Sequence, residues 1–475
     1  MLTHDPRTAS QEREAERASR PRPKGRGDMR SIAREHGFLP LRVEGTIPAG
    51  LEGLLVRTGP GLYEGFGQRV SHSFEADGAL TGIRLRGGRA EGAIRLCRSA
   101  GLDAEERAGK PLFGSRAHPL RRLVRSLRRD VKNTGNTSVL AWQERLFALV
   151  ESSKPLEIDP ATLRTIGETD LGGAITAAFS AHPHRVVTRK AVYNFGLDYG
   201  PRSKLVLYEL PFEGRARTLA SIPLSMPVML HDFAVGPRHA VFFVSPVRID
   251  IPRALLGMRS FGQIIRWEPR RGTEVIVVPL DAPERVTRFT VPAFFQWHFA
   301  GLAERGNELV VHYVRYDDLT SFDQLASTGV TQPGYLHEAV VDPISRTVRS
   351  EQVWDGPAEF PVLDPRHEGC SYRELVVVSS KEKRAALAHV DLKTRQTRLA
   401  VFPEEHVVSE ALLVPRGPSA PEGDGWALTL VYDGAIGTSH LAILDTARWE
   451  DGPIARCHFE THVPMTFHGS WLPGR

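Results

Sequence analysis

From about residue 50 onward, the chain consists of short runs in which apolar and polar residues alternate, separated by turns rich in Gly, Pro and Asp. Alternation with a period of two is typical of a half-buried β-strand. Seven of these runs end at a turn, often entered through Asp, that leads into a second strand. The seven turns lie near residues 87, 159, 211, 281, 342, 391 and 445. The pattern therefore predicts seven similar β-hairpins.

The spacing of these hairpins predicts the fold class. Successive turns lie roughly 50 to 70 residues apart, the length of one four-stranded blade with its loops. A two-layer sandwich would not easily explain so many similar hairpins over so long a chain. We therefore predict an all-β, seven-bladed β-propeller over residues 31–475, with a cap of helices and loops over one face.

Two segments depart from this rhythm. Residues 1–30 mix Arg, Lys, Asp and Glu with Pro and Ser and lack apolar periodicity, which predicts a disordered arm. The insertion at 97–132 precedes the next hairpin and lies where an entrance to the propeller would need a cap.

Within this insertion, apolar residues recur at helical spacing, and arginines occupy the opposite face, a pattern that predicts an interfacial amphipathic helix. The residues predicted to meet a membrane are Leu120, Leu123, Val124, Leu127 and, in a second apolar stretch, Leu255 and Leu256. The alternative is that these helices pack on the face of the propeller.

Composition and charge narrow the class of protein. The chain has 475 residues, of which 41% are hydrophobic and 25% are charged, as in an ordinary globular protein. A net charge of +5 is small for this length and does not indicate a nucleic-acid partner. Three cysteines without a CxxC pair favour a reducing cytoplasm, and no apolar run approaches the ~20 residues of a membrane-spanning helix. We therefore predict a cytoplasmic protein, soluble or peripheral at a membrane surface.

Six polar residues share nearly the same position relative to the hairpins. In a propeller, the segment after one blade's outer hairpin runs inward to become the innermost strand of the next blade. Residues at this position should therefore point at the central axis. The six residues, each 17 to 23 positions after a predicted turn, are His182, His231, His298, Glu359, Glu410 and His468.

This set of side chains favours a metal centre. Neutral imidazole suits Fe, Zn, Cu and Ni, and four histidines without a cysteine leave positions open on a metal that prefers five or six ligands. The two carboxylates need not be ligands, because a metal-bound histidine usually donates its other N–H to an acceptor. A single histidine in a strand is more often a core or surface residue, but four at the same position favour ligation.

Several short motifs carry a family resemblance. In order along the chain they are Arg57-Thr58-Gly59-Pro60, Phe74-Glu75-Ala76-Asp77-Gly78, Asn136-Thr137, Ala181-His182-Pro183, Met229-Leu230-His231-Asp232-Phe233, Trp297-His298, Glu359-Phe360-Pro361, Glu410 before Val414-Pro415-Arg416, and Phe467-His468-Gly469. Their order and spacing resemble those of the carotenoid cleavage oxygenases over roughly residues 38 to 473. One departure is Ser73, which stands in a motif where the family usually carries an aromatic residue.

The resemblance implies a seven-bladed propeller with Fe(II) on its axis, held by the four histidines named above. It also implies three glutamates that accept hydrogen bonds from the ligands, at positions matching Glu151, Glu359 and Glu410. Thr137 matches a threonine that crowds the open side of the iron.

The activity implied by the resemblance is cleavage of a conjugated C=C double bond by O2, which yields two carbonyl products. An apolar tunnel would place one double bond of a polyene beside the iron. The candidate tunnel residues, chosen because they lie near the histidine motifs, are Phe179, Phe294, Phe295, Trp297, Phe299 and Phe467. Each of them, taken alone, is more typical of the propeller core than of a tunnel, because alternate strand residues face away from the axis.

The sequence leaves four functions to be weighed against one another. The motifs around Asn136-Thr137 and Met229 to Phe233 look most similar to bacterial enzymes that cleave apocarotenoids. Lys132 keeps open a stilbene-cleaving function, in which a lysine and a tyrosine hold a phenol. A relative that isomerises and hydrolyses retinyl esters would carry the same iron ligands. A propeller used only for binding would need at least one ligand to be missing, and none is.

Overall fold

The computed structural model describes residues 29–474 except 119, 122–123, 126–130, 201, 252, 254–263 and 325–331. Seven antiparallel sheets with four to six strands form its described part, and they are the blades of a β-propeller. The predicted fold class is confirmed.

The strands of each blade are given from the axis outward. Blade 1 holds Gly469–Pro473, Gly53–Leu62, Asp77–Arg86, Arg89–Leu96 and His36–Pro40. Blade 2 holds Ser138–Trp142, Arg145–Leu149, Leu156–Ile158 and Thr165–Glu168. Blade 3 holds His184–Val186, Ala191–Asp198, Lys204–Pro211 and Arg217–Pro223. Blade 4 holds Ala234–Val235, His239–Val244, Thr273–Pro279 and Thr287–Val291.

The remaining blades follow in chain order. Blade 5 holds Phe295–Arg305, Glu308–Tyr316, Tyr335–Asp342 and Thr347–Pro357. Blade 6 holds Glu359–Leu363, Glu374–Lys381, Arg384–Asp391 and Gln396–Val401. Blade 7 starts with His406–Val408 and Leu412–Pro415, which both pair with Gly425–Asp433, and continues with Thr438–Asp445, Pro453–His458 and Arg42–Gly45.

Each of the seven predicted turns falls between the third and fourth strands of a blade. Aspartates at these turns accept hydrogen bonds from backbone N–H groups two residues ahead: Asp159 from Ala161 at 2.9 Å and Asp342 from Ile344 at 2.8 Å. An Asp side chain that closes a turn in this way explains why Asp marks the hairpins so regularly.

Both ends of the folded chain close the ring. The C-terminal strand Gly469–Pro473 becomes the innermost strand of blade 1, in register with Gly53–Leu62. Near the N-terminus, strand Arg42–Gly45 pairs with Pro453–His458 at the outer edge of blade 7. Because distant parts of the chain meet in blades 1 and 7, the propeller is held together as a single unit.

Helices are few and lie in the connections between strands. Helix α1, Ala100–Ala108, lies between blades 1 and 2, and helix α2, Thr320–Gln324, lies between the second and third strands of blade 5. A small two-stranded sheet, Val247–Ile249 with Ile265–Trp267, occupies the same connection in blade 4. In antiparallel blades these connections all emerge on one face, so they form the cap over that face.

The predicted arm and membrane segments are only partly described. Residues 1–28 of the arm lie outside the described residues, whereas Met29 is buried against Tyr63, Val70 and Ala76. Leu123, Leu127, Leu255 and Leu256 also lie outside them. Among the described residues, no helix has the length and apolar character needed to cross a membrane.

Candidate metal centre

A polar residue stands at or just before the innermost strand of each blade. In blades 3, 4, 5 and 1 this residue is a histidine, and in blades 6 and 7 it is a glutamate, as the spacing predicted. Blade 2 carries Thr137 at the equivalent place, directly before Ser138–Trp142. The seven positions are, in blade order from 2 to 7 and then 1, Thr137, His182, His231, His298, Glu359, Glu410 and His468.

Local backbone features hold the histidines in place. The pairing register of Phe295–Arg305 shifts between Gln296 and Phe299, the interval that contains His298, so the strand is irregular where this side chain turns to the axis. The backbone N–H of His182 donates to Ser180 Oγ at 3.0 Å, and that of His468 donates to the carbonyl of Thr137 at 3.2 Å.

The four imidazoles converge. His182, His231 and His298 each place a ring nitrogen within 4.8 Å of the other two. The Nε2 atoms of His182 and His231 lie 2.9 Å apart, and the ring centroid of His468 lies 4.6 Å from that of His182 and 4.8 Å from that of His298. All four side chains are buried.

Three glutamates contact the outer nitrogens of these rings. His298 Nδ1 donates to Glu359 Oε2 at 2.5 Å, and His468 Nδ1 donates to Glu410 Oε1 at 2.7 Å. His231 Nδ1 contacts Glu151 Oε1. A carboxylate on Nδ1 fixes the tautomer, so Nε2 of each ring carries the lone pair that faces inward.

The fourth histidine, His182, is positioned differently. Its Nδ1 lies 3.9 Å from Asp232 Oδ2. The same carboxylate accepts hydrogen bonds from His184 Nε2 at 2.7 Å and from the backbone N–H of Phe299 at 2.8 Å. Asp232 is thus a buried junction between the segments that carry three of the histidines. Sequence reasoning missed it, although it stands in one of the quoted motifs.

Two further residues contact the glutamates on the side away from the histidines. Tyr316 donates to Glu359 Oε1 at 2.7 Å. The fully buried Arg57 places Nη1 3.5 Å from Glu410 Oε2 and donates to Phe467 O at 2.7 Å and to Thr466 Oγ1 at 3.0 Å. Arg57 lies in a quoted motif, whereas nothing in the pattern pointed to Tyr316.

Burial and neighbouring charges shift the pKa values of three of the histidines, and not all in the same direction. Burial lowers the pKa of His182 well below its ordinary value, and the three neighbouring imidazoles lower it further. Burial also lowers the pKa of His468, partly offset by Glu410. For His298, burial acts to lower the pKa, but the charge and hydrogen bond of Glu359 outweigh it, so the pKa is raised. Burial also opposes ionisation of Glu359, yet His298 and Tyr316 hold its pKa below the ordinary value.

Aromatic residues surround the histidines. The Trp297 ring lies 4.7 Å from His231, and Phe74 lies 6.3 Å from Trp297 and 5.9 Å from Phe467. Phe295 packs against Trp297 with centroids 4.9 Å apart. Of the predicted tunnel residues, Trp297, Phe295 and Phe467 therefore belong to one aromatic group near the axis, which Phe74 joins without having been predicted.

The other three predicted tunnel residues pack elsewhere. Phe179 lies in the core between blades 2 and 3, and Phe294 and Phe299 lie in the core between blades 4 and 5. Phe299 follows His298 directly, but the pairing register shifts on both sides of Phe299 and its ring packs on Phe243, 5.5 Å away. These three residues stabilise the contact between blades.

The residues present fit a divalent transition metal. Four buried imidazoles offer nitrogen donors without a thiolate, and the carboxylates lie on the ring nitrogens that would face away from the metal. Among the described residues, His298 Nε2 has no hydrogen-bond partner, which is costly for a buried nitrogen unless something binds it.

Comparison with known proteins agrees with this geometry. Residues 29–473 match the family RPE65, described as retinal pigment epithelial membrane protein. The chain belongs to this family of carotenoid cleavage oxygenases, so the resemblance found in the sequence is confirmed.

Individual relatives and solved structures cover nearly the whole chain. The chain is 31% identical to the apocarotenoid-15,15'-oxygenase of Synechocystis over 90% of this chain and 92% of that protein. It is 27% identical to isozyme III of the lignostilbene-alpha,beta-dioxygenase of Sphingomonas paucimobilis, over 94% and 96% respectively. The structure of cobalt-substituted Synechocystis apocarotenoid oxygenase (ACO) superposes with a TM-score of 0.86 at 29% identity, covering 94% of this chain and 98% of that one.

Proposed function

We propose that this chain is an Fe(II)- and O2-dependent oxygenase that cleaves a conjugated C=C double bond of an apocarotenoid or carotenoid into two carbonyl products. The observation that carries the proposal is the convergence of four buried histidines, three of them backed by glutamates, beside a group of aromatic rings.

His182, His231, His298 and His468 would hold the iron through their inward nitrogens. Four protein ligands leave part of the coordination sphere of a five- or six-coordinate iron open, and a ferrous ion with open positions supplies dioxygen activation when it is bound. One double bond and one O2 molecule balance two carbonyl groups, so the reaction needs no further oxidant or reductant.

The protein's own residues would position the substrate and exclude water. Trp297, Phe74 and Phe467 present apolar ring surface beside the histidines, which suits a long apolar polyene and no charged substrate. Holding one double bond against the metal site lowers the entropic cost of the reaction and decides which bond is cut. Trp297 is itself fixed by a hydrogen bond from its Nε1 to Ser321 Oγ at 2.9 Å in the cap.

The stilbene alternative depends on Lys132, and the contacts of this residue weigh against it. Lys132 Nζ lies 2.6 Å from Asp77 Oδ2 and 2.7 Å from Glu105 Oε2, and all three side chains are largely buried. A lysine held between two carboxylates is already fully compensated, so recruiting it to a phenol would break a buried ion pair. We therefore place apocarotenoids ahead of stilbenes.

The protein would meet its apolar substrate at a membrane surface while remaining cytoplasmic. Leu120 is 68% exposed, Val124 48% and Val131 60%, and Arg121 lies beside them. An exposed apolar group next to arginines is suited to the interface of an anionic bilayer. The three cysteines are free, which agrees with a reducing compartment.

The test is product analysis with iron-loaded protein under O2. We expect an apocarotenal to be converted into two shorter carbonyl compounds, and a hydroxystilbene offered in parallel to be left unchanged. His298→Ala is the matched inactive control. Cleavage of the stilbene but not of the apocarotenal would overturn the substrate assignment, and turnover of neither by fully iron-loaded protein would overturn the proposed function.

A further inference from the structure

Blade 7 contains a second group of histidines, separate from the four axial histidines. This blade 7 histidine cluster consists of His406, His440 and His458, one from each of three strands. His440 is central: its ring centroid lies 5.8 Å from that of His406 and 5.3 Å from that of His458. Neighbouring rings of the axial centre are 4.3 to 5.2 Å apart, so the blade 7 rings are somewhat more widely spaced.

The flanking histidines each face a carboxylate on one ring nitrogen. His406 Nε2 lies 3.4 Å from Asp433 Oδ2, and His458 Nε2 lies 3.2 Å from Glu44 Oε2. With Nε2 engaged in this way, Nδ1 of each ring is left with a lone pair. A metal-binding histidine typically has a carboxylate at one ring nitrogen and a lone pair at the other. In the axial centre the carboxylates lie at Nδ1 and the lone pairs at Nε2, whereas here the carboxylates lie at Nε2 and the lone pairs at Nδ1.

Two nitrogens of the cluster are buried without a partner among the described residues: His440 Nε2 and His406 Nδ1. His440 itself is only 4% exposed. Buried ring nitrogens are ordinarily hydrogen-bonded, so two orphans on adjacent rings point to a ligand that both would share. Burial and the flanking imidazoles lower the pKa of His440 to about 3, so this ring is neutral at physiological pH and keeps a lone pair.

We propose that the blade 7 histidine cluster is a second metal site, which binds a divalent transition-metal ion of the zinc type through His440 Nε2, His406 Nδ1 and His458 Nδ1. Imidazole is a suitable ligand for zinc, and solvent would complete a four-coordinate shell. Among the described residues, only axial histidines bring three ligand atoms within 4.8 Å of one another. The ion would therefore draw the flanking rings inward, and these rings are only partly buried.

The position of the cluster indicates what the ion would do. Its ligands come from strands of blade 7, and Glu44 belongs to Arg42–Gly45, the strand near the N-terminus that closes the ring at this blade. Glu44 also pairs with Arg456 Nη1 at 2.9 Å, so its charge is shared between the two partners. An ion bound here would stabilise the pairing of strands that closes the propeller ring at blade 7. This role would be independent of the oxygenase reaction.

The test is calorimetric titration with Zn2+ of protein whose axial site is disabled by replacing His182 and His298 together by Ala, which leaves only two axial imidazoles. We expect one zinc per chain and a higher denaturation midpoint in its presence. Adding His440→Gln should weaken zinc binding at least tenfold and abolish the shift in midpoint. Adding His337→Gln, which removes a partly buried histidine of blade 5, should change neither.

Two results would overturn the proposal: the absence of zinc binding to the protein that lacks His182 and His298, or equal zinc affinity in that protein with and without His440→Gln. If His440→Gln does not fold, His406→Gln and His458→Gln take its place. Both residues are partly exposed, and each change should again weaken zinc binding at least tenfold.

Discussion

Replacing Arg57 by Met tests how the interior of the ring is held together. The guanidinium is fully buried, donates to Thr466 and Phe467 in the segment that leads to His468, and faces Glu410 with 3.5 Å between Nη1 and Oε2. Methionine keeps an unbranched side chain but removes every donor. The Glu410 carboxylate would then be buried with His468 as its remaining partner.

The magnitude follows from this loss of compensation. Removing one member of a buried ion pair costs about 3–5 kcal/mol, because the other charge is left uncompensated. We therefore expect Arg57→Met to lower the free energy of unfolding by about 4 kcal/mol. Glu410→Gln keeps an oxygen acceptor for His468 but leaves the buried Arg57 guanidinium without its counter-charge, so it should also cost about 3–5 kcal/mol. The double variant leaves no uncompensated charge, so its loss should fall short of the sum by about 1–3 kcal/mol.

The assay is guanidinium denaturation of the metal-free proteins followed by tryptophan fluorescence, which separates stability from iron binding. Arg145→Met is the matched control, because its ion pair with Glu157 is 38% exposed on the arginine side. Exposed pairs contribute about 0–1 kcal/mol, so little change is expected there. Strictly additive losses in the double variant, or a loss at Arg57 no larger than at Arg145, would show that Arg57 and Glu410 do not stabilise each other.

Three further predictions concern the metal, the acid stability and the membrane. Glu359→Gln should lower iron affinity about 10- to 100-fold without unfolding the protein, whereas the exposed Glu351→Gln should not, as measured by iron retained after dialysis. The folded pKa of His440 is depressed to about 3, so the free energy of unfolding should fall as the pH drops from about 6.5 toward 3. In chelator-treated protein, His440→Gln should remove on the order of 2 kcal/mol of this loss between pH 7 and about 4. Equal pH profiles for the two proteins would contradict this prediction. Replacing Leu120 and Val124 together by Asp should abolish sedimentation with anionic liposomes, and unchanged sedimentation would exclude docking through this segment.

The axial residues could be predicted because the blade repeat places them. Four histidines and two glutamates share one position in a repeated unit, and a fold that superimposes repeats around an axis brings that position together. Glu151 does not share it: it follows the second strand of blade 2, so spacing alone could not find it and only the family resemblance did. Tyr316 lies within a strand that has no distinguishing pattern, and its role depends on where blade 5 meets Glu359.

The aromatic residues show where sequence reasoning stops. We predicted both Phe299 and Trp297 as tunnel residues because both lie next to His298 in the sequence. In the structure their rings point to opposite sides of one strand. The shifts of register around His298 decide which residue faces the axis, and such bulges cannot be read from the hydrophobic pattern. Phe360 is a similar case: it adopts a left-handed backbone with φ of 52° and packs on the rings of His298 and His468. That conformation is uncommon for an aromatic residue, and nothing in the sequence indicates it.

The most direct test of the axial centre is the iron content of protein reconstituted anaerobically with Fe(II), measured beside the His298→Ala variant. We expect about one iron per chain in the unaltered protein and its loss in the variant, since four axial imidazoles hold one ion. An unaltered, folded protein that retains no iron, or a variant that retains as much as the unaltered protein, would contradict the claim that the axis of this propeller is an iron centre.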